Sequence, residues 1–262
     1  MKKINVLSCF DGMSCGRIAL ERAGIKVNNY YASELDKYAI KVTQANWPET
    51  IQLGDVTKWR EWDIDWSSID LLIGGSPCQG FSFAGKQLNF DDPRSALFWE
   101  YVRLLKECKP RYFLLENVRM NQRSQDVITE ALGVQPVPIN SSLVSAQNRK
   151  RLYWTNIPFK YPFDKEIMLK DILEDGCVDR DKSHCIDANY FKGGNLKQYF
   201  EKHRRQLVFS DDGMCHVAAS GGNLEPKILQ TARGWNKGGL KAEDGKTPSM
   251  TSSSWQYNNH LT

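Results

Sequence analysis

Residues 4–16 read INVLSCFDGMSCG, and residues 17–24 continue RIALERAG. The first seven form an apolar run suited to a buried strand. A loop of small residues carrying Gly12 and Gly16 follows, and then a helical pattern over 17–23 that Gly24 closes. A strand that runs into a glycine-bearing loop and a helix directs backbone amides at a ligand, as nucleotide-type pockets require. The loop has neither the G-x-G-x-x-G spacing nor a Gly-Lys-Ser ending, which weakens the dinucleotide and P-loop readings. A plain tight strand–helix turn fits the same residues.

The alternation continues outward. Residues 27–33 predict a second strand, 37–46 a helix closed by Pro48, and 51–56 a short third strand. The run DLLIG at 70–74 predicts a buried strand stopped by Gly74-Gly75. Residues 94–108 predict an amphipathic helix with Leu97, Tyr101, Leu104, Leu105 and Cys108 on one face. Residues 112–115 predict a strand, 126–132 a helix and 151–156 a strand. This order implies a doubly wound α/β sheet whose strand-to-helix loops share one edge, where ligands bind. Beyond Pro158 the pattern fades. Residues 160–246 are richer in Gly, Asn, Asp and Lys and predict a smaller, loop-rich region.

Of the 262 residues 41% are hydrophobic, enough for a core and too many for a disordered chain. Residues 1–146 carry 17 basic and 17 acidic side chains; of the totals 35 and 31, residues 147–262 hold the remaining 18 and 14. The whole excess of +4 therefore lies in the back half, which suits a polyanion-facing surface, although a solvated basic face suits it equally. The seven cysteines, at 9, 15, 78, 108, 177, 185 and 215, include no C-x-x-C pair. They point to a reduced, cytoplasmic protein with mostly buried thiols. His184 beside Cys185 is the nearest approach to a zinc cue, and two adjacent ligands without partners make no site, so no metal is expected. No run of eighteen apolar residues suggests a membrane span, and the N-terminal segment lacks the h-region of a secretory signal.

Several strand ends carry chemistry. Glu34, with Leu35 after it, closes the second strand 24 residues after Phe10, where a carboxylate can accept from both hydroxyls of a ribose. Asp55 and Val56 follow the third strand, and Asp55 can accept from an adenine amino group. Either acid can equally be a helix cap. The segment GGSPCQGFS at 74–82 puts Cys78 directly after Pro77, in a loop that flanking Gly and Pro make irregular. A cysteine there is placed to react rather than to fill a core. The strand 112–115 delivers Glu116-Asn117-Val118, and a carboxyl group in a partly buried pocket can act as a proton donor. In QNRKR at 147–151, Arg149 and Arg151 project to the same face if Arg151 begins a strand, which suits a base carbonyl oxygen and a phosphate, although a solvated surface turn also fits such a cluster.

The segments FDGMSCG, GGSPCQGFS, ENV and QNRKRLYW, in this order, resemble the conserved blocks of the DNA cytosine-C5 methyltransferase family. The match covers roughly residues 4–156, and a Pro-Cys-Gln block with Glu-Asn-Val 38 residues later makes it specific. The resemblance implies a Rossmann-like S-adenosylmethionine-dependent methyltransferase sheet with a smaller, loop-rich target-recognition region. The corresponding division is 1–159 for the cofactor-binding and catalytic domain, 160–246 for target recognition, and 247–262 for the start of a return to the first domain. It implies Cys78 as nucleophile, Glu116 at cytosine N3, Arg151 at O2, and Arg149 ordering the loop or meeting phosphate. It further implies S-adenosyl-L-methionine held by Phe10, Asp11, Gly12, Gly16, Glu34, Leu35, Asp55, Val56 and Pro77. Double-stranded DNA would be met by Gln79, Ser82, Arg149, Arg204, Arg205, Arg233 and Lys237, with 82–87 closing over a flipped-out base.

Two late blocks of the family find no match here, a Pro-Arg-Glu-like segment and a Gly-Asn-containing helix beside the first loop. The expectation is therefore truncation, or a second polypeptide that supplies them. Two other readings stand beside this one: cytosine methylation of tRNA, and a non-catalytic, partner-dependent binding subunit.

Overall fold

A computed structural model describes residues 3–77, 96–186, 199 and 206–209, and the backbone of 228–230, 239–241 and 259–261. The chain divides into two compact units, one of residues 1–139 and 150–160, the other of 140–149 and 161–262. Arg149 and Arg151 thus fall in different units, a division finer than the expected boundary at 159.

The first unit holds strands β1 (Ile4–Cys9), β2 (Val27–Ser33), β3 (Ile51–Gln52), β4 (Leu71–Gly74), β5 (Tyr112–Val118), β6 (Val137–Asn140, all but its last residue) and β7 (Lys150–Thr155). Its helices are α1 (Cys15–Arg22), α2 (Lys37–Asn46), α3 (Ala96–Cys108) and α4 (Gln122–Leu132). The sheet order is β3-β2-β1-β4-β5-β7-β6. β1 pairs in parallel with β2 and β4, and β4 with β5, whereas β7 runs antiparallel to β5. This is the expected Rossmann-like α/β sheet. The chain builds outward from β1 to β3 and then returns to β4, so the order reverses between β1 and β4. Ligand crevices of open α/β sheets lie at such a point, beyond the carboxyl ends of the strands.

β1 is buried because it is central: Val6, Leu7 and Cys9 are wholly inaccessible. α3 covers one face with Phe98, Tyr101, Val102, Leu104 and Cys108, while Leu97 and Leu105 pack partly buried at its margin. Burial pushes the Cys108 thiol up to about 12, so it remains a neutral core group at physiological pH. Cys9 and Cys108 are buried thiols, Cys15 is exposed, and Cys177 is disulfide-bonded, against the expectation of a reduced chain.

The third strand is shorter than predicted. Gly54 adopts φ 74°, and Asp55 then caps a 3-10 turn over Val56–Glu61. β6, absent from the prediction, carries Pro138 and lies at the end of the sheet, where a missing N–H is tolerated. α4 begins at Gln122, earlier than the predicted 126, because Asn121 accepts from Ser124 N–H at 2.8 Å as an N-cap. A Cβ on Gly74 would lie 2.8 Å from two ring atoms of Tyr101 and 3.2 Å from the Cys9 carbonyl oxygen. Gly74→Ala is accordingly expected to cost about 1–3 kcal/mol of stability in urea unfolding, the usual penalty for overpacking a rigid neighbour. A loss below the scatter of the method would mean that Tyr101 yields without strain.

In the second unit, residues 228–230, 239–241 and 259–261 form strands β8, β9 and β10, with β8 antiparallel to both others. Tyr199, Leu207 and Phe209 form a small buried cluster against Cys177. Asp179 binds Arg180 through two nitrogens, and the Tyr199 hydroxyl donates to the same carboxylate.

Candidate active site

At the carboxyl end of β1 the backbone turns left-handed three times, at Phe10 (φ 57°), Gly12 (φ 59°) and Ser14 (φ 58°). For a bulky residue such as Phe10 that conformation is strained and must be held from outside. Asp11 does the holding. It accepts from Ser8 Oγ (2.6 Å), Tyr30 Oη (2.8 Å) and Ser14 Oγ. Ser8, Tyr30 and Ser14 are all buried. Burial raises the Asp11 carboxyl above the ordinary carboxylate range, and the three hydroxyls act against that rise. Asp11 therefore braces the loop from inside rather than lying free for a ligand. Ser14 Oγ is drawn to Asp11 and to Thr43 (3.0 Å), and makes no cap bond to α1.

Gly16 is placed by packing. A Cβ there would lie 2.2 Å from the tip of Ile73 and 3.2 Å from the Tyr30 hydroxyl, so only glycine lets α1 approach the sheet without displacing them. Glu34 binds across the loop end of β2: its Oε2 accepts from Gly12 N–H at 2.8 Å, and its Oε1 from Leu35 and Asp36 N–H at 2.7 and 2.8 Å. Carboxylate oxygens have lone pairs beyond these three bonds. Leu35 beside it is 70% exposed, an unusual position for a large apolar side chain, and the Cβ position of Gly12 meets nothing within 4 Å. A polar acceptor, an apolar surface and open space next to a turned backbone are what a nucleoside group requires. Asp55 acts as a cap, accepting from Thr57 N–H (2.9 Å) and Thr57 Oγ1 (2.8 Å), and these bonds lower its pKa. Val56 is 5% exposed, with its side chain in the core.

The second half of the site joins β4, β5 and β7. Arg151 Nε lies 2.8 Å from Glu116 Oε1. β5 and β7 pair Glu116 with Tyr153 and Val118 with Arg151, which puts Glu116 and Arg151 on one face as diagonal neighbours. Glu116 Oε2 also lies 3.3 Å from where a Cβ of Gly75 would be, so the loop after β4 passes directly over this carboxylate. Asn117, on the opposite face and 2% exposed, donates from Nδ2 to Ser76 Oγ (3.2 Å) and Ser76 O (3.3 Å). Ser76 is thereby held at the end of β5, with Gly75 over Glu116. Cys78, Gln79 and Ser82 lie outside the described residues, as do the stretch 82–87 and Arg204, Arg205, Arg233 and Lys237.

Arg149 departs from the expectation that it shares a strand face with Arg151. β7 begins at Lys150. In the second unit, Arg149 N–H donates to Asn140 Oδ1 at 2.9 Å and its Nη1 lies 3.2 Å from Cys185 Sγ. The hydroxyls of Ser8, Ser14 and Tyr30 carry no sequence signal beyond the small or polar residues flanking Asp11, and the role of Asn117 is hidden within the ENV segment. Among the described residues no group of three or more His, Cys, Asp or Glu side chains can hold a metal ion, and no helix is long and apolar enough to cross a membrane.

Residues 4–168 match the sequence model of a family described as C-5 cytosine-specific DNA methylase. An orphan methyltransferase of Bacillus phage SPR is 37% identical over 193 residues, covering 67% of this chain and 44% of the relative. A type II methyltransferase of Lactococcus lactis subsp. cremoris is 39% identical over 163 residues, covering 58% and 41%. Another, of Neisseria gonorrhoeae, is 34% identical over 203 residues, covering 67% and 48%. The matched part of the chain thus spans less than half the length of each of these three curated relatives.

Proposed function

Since the chain belongs to the C-5 cytosine-specific DNA methylase family, we propose that it methylates C5 of cytosine in double-stranded DNA with S-adenosyl-L-methionine as donor. The observation that carries the reading is the meeting of Glu116 with Arg151 and Gly75 at one strand end, with Cys78 three residues after Gly75. S-adenosyl-L-methionine, when bound, supplies an electrophilic methyl group. Glu34 would accept from its ribose hydroxyls, Leu35 would cover an apolar face of its base, and the turned backbone of Phe10 and Gly12 would leave it room. Asp55 and Pro77, at neighbouring strand ends, complete this set. Asp11, Gly16 and Val56 support the pocket from behind.

Cytosine C5 is a poor nucleophile because the ring is electron-poor. The Cys78 thiolate adds to C6 while Glu116 provides a proton to N3, and the electron pair moves toward C5. Arg151 donates to the O2 oxygen as charge grows there, and Arg149 orders its loop or meets phosphate. C5 would then take the methyl group that the bound donor supplies, whose sulfur leaves as a neutral thioether; once a base has removed the C5 proton, the C6–S bond breaks, Cys78 leaves as thiolate and N3 returns its proton to Glu116. Forming and breaking this bond divides one difficult step into easier ones. The base must leave the duplex to reach Cys78, which costs a few kcal/mol of stacking and pairing. Gln79 and Ser82 follow the nucleophile and would face the opened duplex. Arg204, Arg205, Arg233 and Lys237 in the second unit would meet phosphates and base edges.

The deciding assay measures tritiated methyl transfer to duplex DNA and to tRNA. It is run with the chain alone and with a second polypeptide carrying the two late blocks. Incorporation into duplex DNA in either arrangement is the expected result. Incorporation into tRNA only, or into neither, overturns the assignment. Glu34→Ala is expected to weaken cofactor binding in calorimetry by about 1.5–3 kcal/mol for each charged hydrogen bond lost. Because Glu34 also holds three backbone amides, circular dichroism is recorded alongside. Unchanged affinity in a folded variant removes Glu34 from the pocket.

A further inference from the structure

The Lys182 ammonium donates to three main-chain carbonyl oxygens, those of Ser142 (2.8 Å), Ser145 (3.3 Å) and Ile167 (2.7 Å). An ammonium has three N–H donors, so these bonds use its full capacity. All four residues belong to the second unit. Three converging carbonyl dipoles repel one another, and a cation at their meeting point turns that repulsion into attraction. A neutral side chain at 182 would leave the three half-buried acceptors without this donor.

The segment after Lys182 runs along the same loop. Ser183 N–H donates to Ala146 O at 2.7 Å and Asn148 N–H to Ser183 O at 3.0 Å, with Gln147 and Ser183 bridged in parallel. Two residues on, Cys185 Sγ meets Arg149. Inside the loop, Ser141 N–H donates to Arg149 O at 3.1 Å, and Ser141 Oγ to Gln147 O at 2.8 Å. The loop 140–149 is therefore closed at its neck by its own bonds and braced along one side by 182–185. Lys182 locks the end of that brace to both Ser142 and Ser145.

We propose that Lys182 is a positioning residue, an internal cation that fixes the shape of loop 140–149 and so sets Gln147, Asn148 and Arg149 for contact with the DNA backbone. The DNA half of this inference rests on the function proposed above; the loop half rests on the hydrogen bonds alone. The test follows amide hydrogen exchange in the full chain for the wild type, Lys182→Met and Lys182→Ala. Amides of 141–149 and of Ser183 are expected to exchange about tenfold faster or more in both variants, while those of β1 and β5 do not change. Methylammonium, which brings an ammonium into the space left by Lys182→Ala, restores protection. Tetramethylammonium, which has no N–H, does not. Duplex affinity at matched ionic strength falls about tenfold and recovers under the same rescue, with cofactor affinity constant. Unchanged exchange in both variants, or a loss that methylammonium fails to reverse, overturns the proposal. If the wild type binds no duplex, the assigned function fails, and the exchange experiment still decides the role of Lys182.

Discussion

Cys78→Ser is expected to abolish methyl transfer, lowering the rate by at least about a thousandfold, while the fold stays intact. The residues that lead to Cys78 explain both halves of this expectation. Gly74 ends β4 under the Tyr101 ring, Gly75 passes over the Glu116 carboxylate, and Ser76 is buried on Asn117. None of these contacts uses the side chain at 78, so a hydroxyl in place of the thiol leaves them unchanged. A serine hydroxyl, however, is scarcely ionised at neutral pH and is a far weaker nucleophile toward C6. Duplex DNA containing 5-fluorocytosine supplies the direct test. Fluorine at C5 cannot leave as a proton does, so a methylated adduct cannot eliminate and remains joined to the enzyme. A covalent band on a denaturing gel is expected with the wild type and cofactor, and none with Cys78→Ser. A band of equal strength from the variant would assign the nucleophile elsewhere.

Asp11→Ala is expected to cost about 2 kcal/mol or more at neutral pH. Each stranded buried hydroxyl costs about 1–3 kcal/mol, and Ser8, Ser14 and Tyr30 lose their common acceptor together. Part of that cost is offset, because the wild type holds a carboxylate in a place that disfavours charge. Burial raises the Asp11 pKa, so the folded chain binds this proton more tightly than the unfolded chain does. Its contribution is therefore fully present below the unfolded pKa and is lost as pH rises through the folded one. Urea unfolding across that window should show wild-type stability declining with pH and a flatter curve for Asp11→Asn. A loss under about 1 kcal/mol for Asp11→Ala would mean that the three hydroxyls find other partners.

The sheet was legible because its strands are apolar runs closed by Gly, Pro or acids, and such local signals survive folding. The positions of Glu34, Glu116 and Arg151 were legible for the same reason, as each lies where a periodic segment stops or starts. What escaped depended on partners distant in sequence. Nothing near Asp11 announces that Tyr30, on the next strand, will reach it. β6 was hidden by Pro136 and Pro138, which signal a loop unless the strand is known to be an edge. Arg149 was misplaced by counting in twos from Arg151, a rule that fails one residue outside the strand. Lys182 sits in a polar stretch whose composition says nothing about three carbonyl groups.

The antiparallel ladder between β5 and β7 acts as a ruler for the site. Val118 stands opposite Arg151 and Glu116 opposite Tyr153, so the spacing of carboxylate and guanidinium is measured across two adjacent strands. The 32 residues between Val118 and Arg151 take no part in that measurement. Residues could be gained or lost in the α4 connection without moving the pair, whereas a slip of one residue within the ladder would turn Arg151 to the other face and break it. Tolerance of length change should therefore be widest in the turn between α4 and β6, outside the braced loop 140–149, and end sharply where the ladder begins.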